Sequence, residues 1–144
     1  MYEASRAISI LYRYSQKNIE NRLRDVGISS GTYYVLLAVL EHGGASVDEL
    51  AGLTELDKST VTRALHRLQR DGFARVSVCQ KDKRRKEVFP TDKAVGIHDQ
   101  ILTAVASWDD AVSGELTAEE RGQMIVLLDK LARSALVYLS KGRQ

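Results

Sequence analysis

The sequence is most informative at first for what it holds little of: one cysteine, one proline, and only nine aromatic rings (one Trp, six Tyr and two Phe) in 144 residues. A lone Cys79 cannot close an internal disulfide, so nothing ties the chain to an oxidising compartment. The shortage of proline and aromatics favours helix over extensive sheet. No stretch approaches the roughly 20 apolar residues of a membrane-spanning helix. The N-terminus carries no signal-peptide-like apolar run, so a cytoplasmic protein with no membrane partner is expected. His42, His66 and His98 are widely spaced and have no Cys or acidic companions at ligand spacing, so no metal site and no cofactor is expected. A glycine-rich phosphate loop and a placed nucleophile–base pair are also missing, which argues against an enzyme.

What is present is a strongly uneven charge. The length suits one domain with a real core, and the net charge is only +2. Yet residues 58–86 hold ten Lys or Arg against two acids, while the remainder holds eleven against seventeen. A basic segment on an acidic body points to a polyanionic partner, because a focused positive field attracts phosphates. Five of those cations fall within six positions, Lys81, Lys83, Arg84, Arg85 and Lys86, interrupted only by Asp82.

Periodicity predicts the order α-α-α-α-β-β-α-α. A first helix covers about residues 2–25, with Ile8, Leu11, Tyr12, Ile19 and Leu23 on one face and Gly27 as its stop. A second runs from about Thr32 to His42. Ser46 and Glu49 form a capping box for a short third helix. In TELDKSTVTRALHRLQRDGF, Asp57 reads as an N-cap, Val61, Leu65 and Leu68 as an inward stripe, and Gly72 as a stop. FARVSVCQ and KEVFP alternate as two strands with the basic run as their turn. One helix is predicted from about Thr91 to Ser113, and a last one starts at Thr117 with Glu120 in capping-box position.

Two short helices and a tight turn, the second helix polar on one side, suit a helix-turn-helix whose second helix enters the major groove of double-stranded DNA. Its outward side shows Lys58, Ser59, Thr60, Thr62, Arg63, His66 and Arg67. Arg63 and Arg67 can reach guanine edges or phosphates, and the hydroxyls at the helix start can meet phosphates or bases, helped by the helix N-terminus. The hairpin after it completes a winged helix, with its basic tip at a neighbouring minor groove. A charge run alone is as often a merely solvated tip; the helix-turn-helix pattern upstream favours the wing.

With these residues in view, the sequence resembles the MarR family of transcriptional regulators. The family's wing pattern is Asp-x-Arg, five residues, then Leu-Thr; Asp82, Arg84 and Thr91 match it, and Pro90 replaces the leucine at a strand end where proline is tolerated. The resemblance extends over the whole element order and is most specific from residue 46 to 94. It implies that Arg84 enters the minor groove and that Asp82 helps hold the wing or a neighbouring arginine. The implied fold is mainly helical with a small β-hairpin wing. Residues 31–91 would form the winged helix-turn-helix, and 1–30 with 92–144 the dimerisation helices.

Ile97, Ile101, Val105, Trp108 and Val112, and likewise Leu127, Leu131, Leu136 and Leu139, are expected to need a partner surface. A homodimer is expected, with recognition helices about 34–36 Å apart on a pseudo-palindromic operator; intramolecular packing is the alternative. The resemblance further implies a regulator, a repressor before an activator, and many members of the family release DNA when a small aromatic ligand binds. Tyr12, Arg13, Tyr33, Tyr34 and Trp108, with Tyr2 and Tyr14, are candidates to line such a pocket, although core and interface packing is the commoner role for each one taken singly. Cys79 reads as a small filler in a wing strand rather than a redox sensor. The competing function is a winged helix that binds another protein; the hydroxyl-and-arginine face of residues 58–67 argues against it, since such a helix would present apolar anchors.

Overall fold

Three N-caps legible in the sequence define where helices begin in the computed structural model, which describes residues 2–142. The elements are α1 (Glu3–Leu23), α2 (Tyr33–Glu41), α3 (Val47–Thr54), α4 (Lys58–Arg70), β1 (Ala74–Val78), β2 (Lys86–Pro90), α5 (Asp92–Gly96), α6 (His98–Val112) and α7 (Ala118–Lys141). Ser46 and Thr117 close full capping boxes with Glu49 and Glu120, and Asp57 caps α4 through the Thr60 amide. Each cap satisfies an amide that the first helical turn would otherwise leave unpaired.

The chain forms two compact units, one ending at Trp108 and one beginning at Asp109. In the first, a single core gathers Ile19 and Leu23 of α1, Val35, Leu36 and Val39 of α2, Leu50 of α3, Val61, Leu65 and Leu68 of α4, Phe73, Val88 and Ile101. β1 and β2 pair antiparallel, with Val76 opposite Val88 and Val78 opposite Lys86. A third short edge appears that the sequence did not announce. The Gly44 amide donates to the Val88 carbonyl at 2.8 Å, and the Val88 amide returns to Ala45 at 2.9 Å. Gly44 holds φ +93, and a Cβ there would stand 3.3 Å from the Phe89 ring, so this turn requires glycine on two counts.

Two expectations need correction. The single helix from 91 to 113 is two helices. Ile97 leaves helical geometry (φ −109, ψ 3) and its amide bonds back to Ala94, a tighter turn that closes α5 before α6 begins. Gly96, poorly suited to a helix interior, sits at the break. Second, Ile97, Ile101 and Val105 do not await a partner. Ile101 is fully buried in the core of the first unit, and Ile97 and Val105 pack against it. The Asn18 amide reaches the Ala104 carbonyl at 3.4 Å, pinning α1 to α6. Trp108 is half-buried, whereas Val112 is 42% exposed.

In the second unit, α7 buries none of its residues, and Leu127, Leu131, Leu136 and Leu139 are all exposed. On α1 the same holds for Ile8, Leu11 and Tyr12, while Ile19 and Leu23 go into the core. Among the described residues, no helix is long and apolar enough to cross a membrane.

Candidate nucleic-acid interface

The α4 sequence KSTVTRALHRLQR separates into two sides. Val61, Ala64, Leu65 and Leu68 are buried, and this stripe at three- and four-residue steps fixes the helix against the core. Its rotation leaves Lys58, Ser59, Arg63, His66 and Arg67 exposed and Thr62 half-exposed. The turn before α4 depends on Glu55, the one non-glycine residue with positive φ (55) among the described residues. Thr54 secures that turn from below, its hydroxyl donating to the Leu50 carbonyl at 2.7 Å. After α4, Gly72 (φ +81) reverses the chain, and the Phe73 amide bonds the Leu68 carbonyl at 2.7 Å. With the Gly72 amide bonding the Gln69 carbonyl at 3.1 Å, this double closure of the helix end sends the chain directly into β1.

The start of α4 departs from the sequence reading. Its anion-attracting N-terminus is already occupied by Asp57. That carboxylate accepts the Ser59 hydroxyl at 2.5 Å, the Thr60 amide at 2.9 Å and the Thr60 hydroxyl at 2.6 Å. These donors, the Ser59 hydroxyl foremost, hold the Asp57 carboxyl far below the usual carboxylate range, with Arg63 adding a smaller charge effect. The Thr62 hydroxyl donates to the Lys58 carbonyl at 2.7 Å. All three hydroxyl protons are therefore spent inside the helix. A phosphate, which only accepts, gains nothing from Ser59, Thr60 or Thr62 unless a hydroxyl turns away from its present partner.

The cations are held differently from one another. Arg63 Nη2 donates to the Thr60 hydroxyl oxygen at 3.1 Å, so the Asp57–Thr60 pair also braces this guanidinium. Lys58 pairs with Asp48 at 2.8 Å across the helix-turn-helix, both ends well exposed; such a pair adds little stability and is easily exchanged. Arg67 lies beside the loop before α2, where a Cβ on Gly31 would meet its Nη1 at 3.7 Å.

At the wing, Asp82 Oδ1 accepts the Arg84 amide at 3.0 Å, and the Asp82 carbonyl accepts the Arg85 amide at 2.9 Å. Asp82 is thus the residue that folds the tip. Among the described residues, the side chains of Lys81, Lys83, Arg84 and Lys86 have no hydrogen-bond or ion-pair partner, and all four are exposed. Arg85 behaves otherwise. Its Nη2 lies 2.8 Å from Glu49 Oε2 and 3.4 Å from the Gly44 carbonyl, and its Nε 3.7 Å from Glu87 Oε1. The sequence grouped it with the tip cations because one-dimensional spacing cannot show which head folds back onto α3. Arg75 was likewise not singled out; it stacks on Phe89, 4.6 Å from the ring centre.

Of the aromatic candidates, Tyr33 and Tyr34 meet edge to face, with ring centres 6.1 Å apart. Tyr12, Arg13 and Tyr34 are exposed, and Tyr33 and Trp108 half-buried. A separate cleft of about 420 Å³ lies between α1 and α6, lined by Arg22, Asp25, Val26, Asp99, Gln100, Thr103 and Ala104; none of the five candidates contributes to it.

Comparison with known proteins places this geometry in context. The model of the MarR family matches residues 26–85. The chain is similar to the HTH-type transcriptional regulator BilQ of Clostridium symbiosum, with 30% identity over 83% of each chain. In structure it resembles a MarR transcriptional regulator from Methanosarcina mazei (TM-score 0.84, 25% identity, covering 96% of this chain and 99% of that one). It also shares the fold of a MarR family transcriptional regulator from Listeria monocytogenes complexed with 26mer DNA (TM-score 0.84, 20% identity, 95% and 93% covered).

Proposed function

This chain belongs to the MarR family, and from that premise we propose that it is a sequence-specific DNA-binding transcriptional regulator acting as a homodimeric repressor in the cytoplasm. One observation carries the reading. The outward side of α4 and the wing tip together hold exposed Lys58, Arg63, His66, Arg67, Lys81, Lys83 and Arg84, while the opposite side of α4 is locked into the core. A helix so anchored presents a rigid polar surface of major-groove size, and a cationic hairpin beside it can follow the adjacent backbone or minor groove. The Listeria neighbour in complex with 26mer DNA supports the same use of the fold.

On this reading residues 31–91 are the DNA-binding region. Arg63 reads bases, Arg67 and Lys58 hold phosphates, and Arg84 enters the minor groove while Asp82 keeps the tip folded. No exposed apolar anchor stands on the outward side of α4, which disfavours a protein partner there. The exposed leucines of α7 support dimerisation, since an apolar surface of this extent calls for cover. A two-fold dimer then reads a pseudo-palindromic operator with half-sites about one helical turn apart. Repression follows from occlusion of the promoter, and a small aromatic effector near Tyr33 and Tyr34 would release it by favouring another dimer geometry.

The test is a gel-shift titration with duplex from upstream of the protein's own gene and with scrambled duplex of equal length. Preferential binding that weakens steeply with salt is expected. No binding to either duplex at low salt overturns the proposal.

A further inference from the structure

We propose that Arg85 is a positioning residue for DNA binding: by gripping Glu49 it fixes the direction of the wing tip against the N-terminus of α3. The inference rests on the wing's role in DNA binding proposed above.

Among the five cations of the tip, Arg85 is the one whose side chain bonds back to the body, at 2.8 Å from Glu49 Oε2 and 3.4 Å from the Gly44 carbonyl. The same Oε2 accepts the Ser46 amide at 2.7 Å. One carboxylate oxygen therefore caps α3 and holds the wing. Arg85 is also where the hairpin opens into its tip. Its carbonyl accepts the Cys79 amide at 2.8 Å, and its own amide donates to the Asp82 carbonyl at 2.9 Å. Lower down, the Gly44–Val88–Ala45 backbone pair already ties β2 to the turn before α3. Two anchors three residues apart define a direction where one would leave a pivot. The side chains of Lys83 and Arg84, which have no hydrogen-bond or ion-pair partner among the described residues, are aimed by that direction.

Charge gives the same division of labour. Glu49 and Glu87 both face the Arg85 guanidinium, so it adds little to the field beyond the tip. Arg84 and Lys83 have no such compensation.

Glu49→Gln separates positioning from direct contact by sign. Glutamine keeps the capping box and removes the charge that holds Arg85. Deleting a negative charge near a polyanion should by itself tighten binding. If the clamp aims the wing, Glu49→Gln instead weakens operator binding by about threefold, the size expected for an exposed ion pair. Arg85→Gln should weaken it similarly, and the double variant no further, because both remove one device. Independently of DNA, amide exchange at Cys79, Arg84 and Arg85 should accelerate in both single variants. Unchanged exchange at these amides overturns the clamp. Equal or tighter operator binding by Glu49→Gln, or additive losses in the double variant, overturns positioning in favour of direct contact. A wild-type protein that binds no DNA refutes the proposed function, and the exchange measurement still decides the clamp.

Discussion

Thr91 and Gly72 join the foot of the wing to the end of α4: the Thr91 hydroxyl donates to the Gly72 carbonyl at 2.6 Å. The Thr91 hydroxyl oxygen also accepts the Ala94 amide and caps α5, while the Thr91 amide bonds the Phe73 carbonyl. One residue thus links α4, the hairpin and α5. Thr91→Val keeps the shape and deletes both hydroxyl bonds, so a loss of about 1–2 kcal/mol is expected in denaturant unfolding. A midpoint unchanged from wild type would show that the junction is held by packing alone.

Arg63 and Arg84 should fail in different ways. Arg63→Ala should cost about 1–3 kcal/mol on the preferred site and little on random duplex, as for a guanidinium reading bases. Arg84→Ala should weaken binding with the dimer intact, and lower the salt slope by about one if it also neutralises a phosphate. Titrations at several salt concentrations distinguish them; equal losses on specific and random DNA would make Arg63 a phosphate contact.

Stability should fall on acidification, with the helix caps as a defined source. Asp57 is held low by the Ser59 and Thr60 donors, Glu49 and Glu120 by the Ser46 and Thr117 backbone amides, and Asp71 by Arg70. Carboxyls depressed on folding contribute stability that is fully present above their unfolded values near about pH 4 and is lost as pH falls through the folded ones. Asp57→Asn retains a capping oxygen but removes one such group. Its melting temperature should therefore drop less between pH 6 and pH 3 than that of wild type, in melts followed by circular dichroism. Parallel curves would remove Asp57 from the account.

Leu131→Glu places a charge amid the exposed leucines of α7. If these form the dimer contact, the dissociation constant should rise at least about tenfold, read by sedimentation equilibrium. Local stability of the first unit should be untouched. An unaltered dimer would locate the interface elsewhere.

Local interactions were readable in one dimension. The Ser46–Glu49 and Thr117–Glu120 boxes, the Asp57 cap, the Gly27 and Gly72 reversals and the split of α4 into two sides all depend on residues within five positions of each other, where spacing determines who meets whom. The break at Ile97 was signalled by Gly96 and overridden by an apolar periodicity that runs through both α5 and α6. Arg85 shows the limit of spacing. Five neighbouring cations look alike in sequence, and only the return of the chain past Glu49, thirty-six residues earlier, distinguishes the clamp from the exposed heads.

The sequence by itself determined the order of elements as far as the hairpin, the Ser46, Asp57 and Thr117 caps and the concentration of positive charge on residues 58–86, because capping, helical periodicity and charge are properties of short segments. The tertiary structure alone decided that Ile101 belongs to the chain's own core, that Gly44 and Ala45 add an edge to the wing, and that Arg85 folds back onto Glu49. Those outcomes depend on which distant segments share space, and no local preference encodes that.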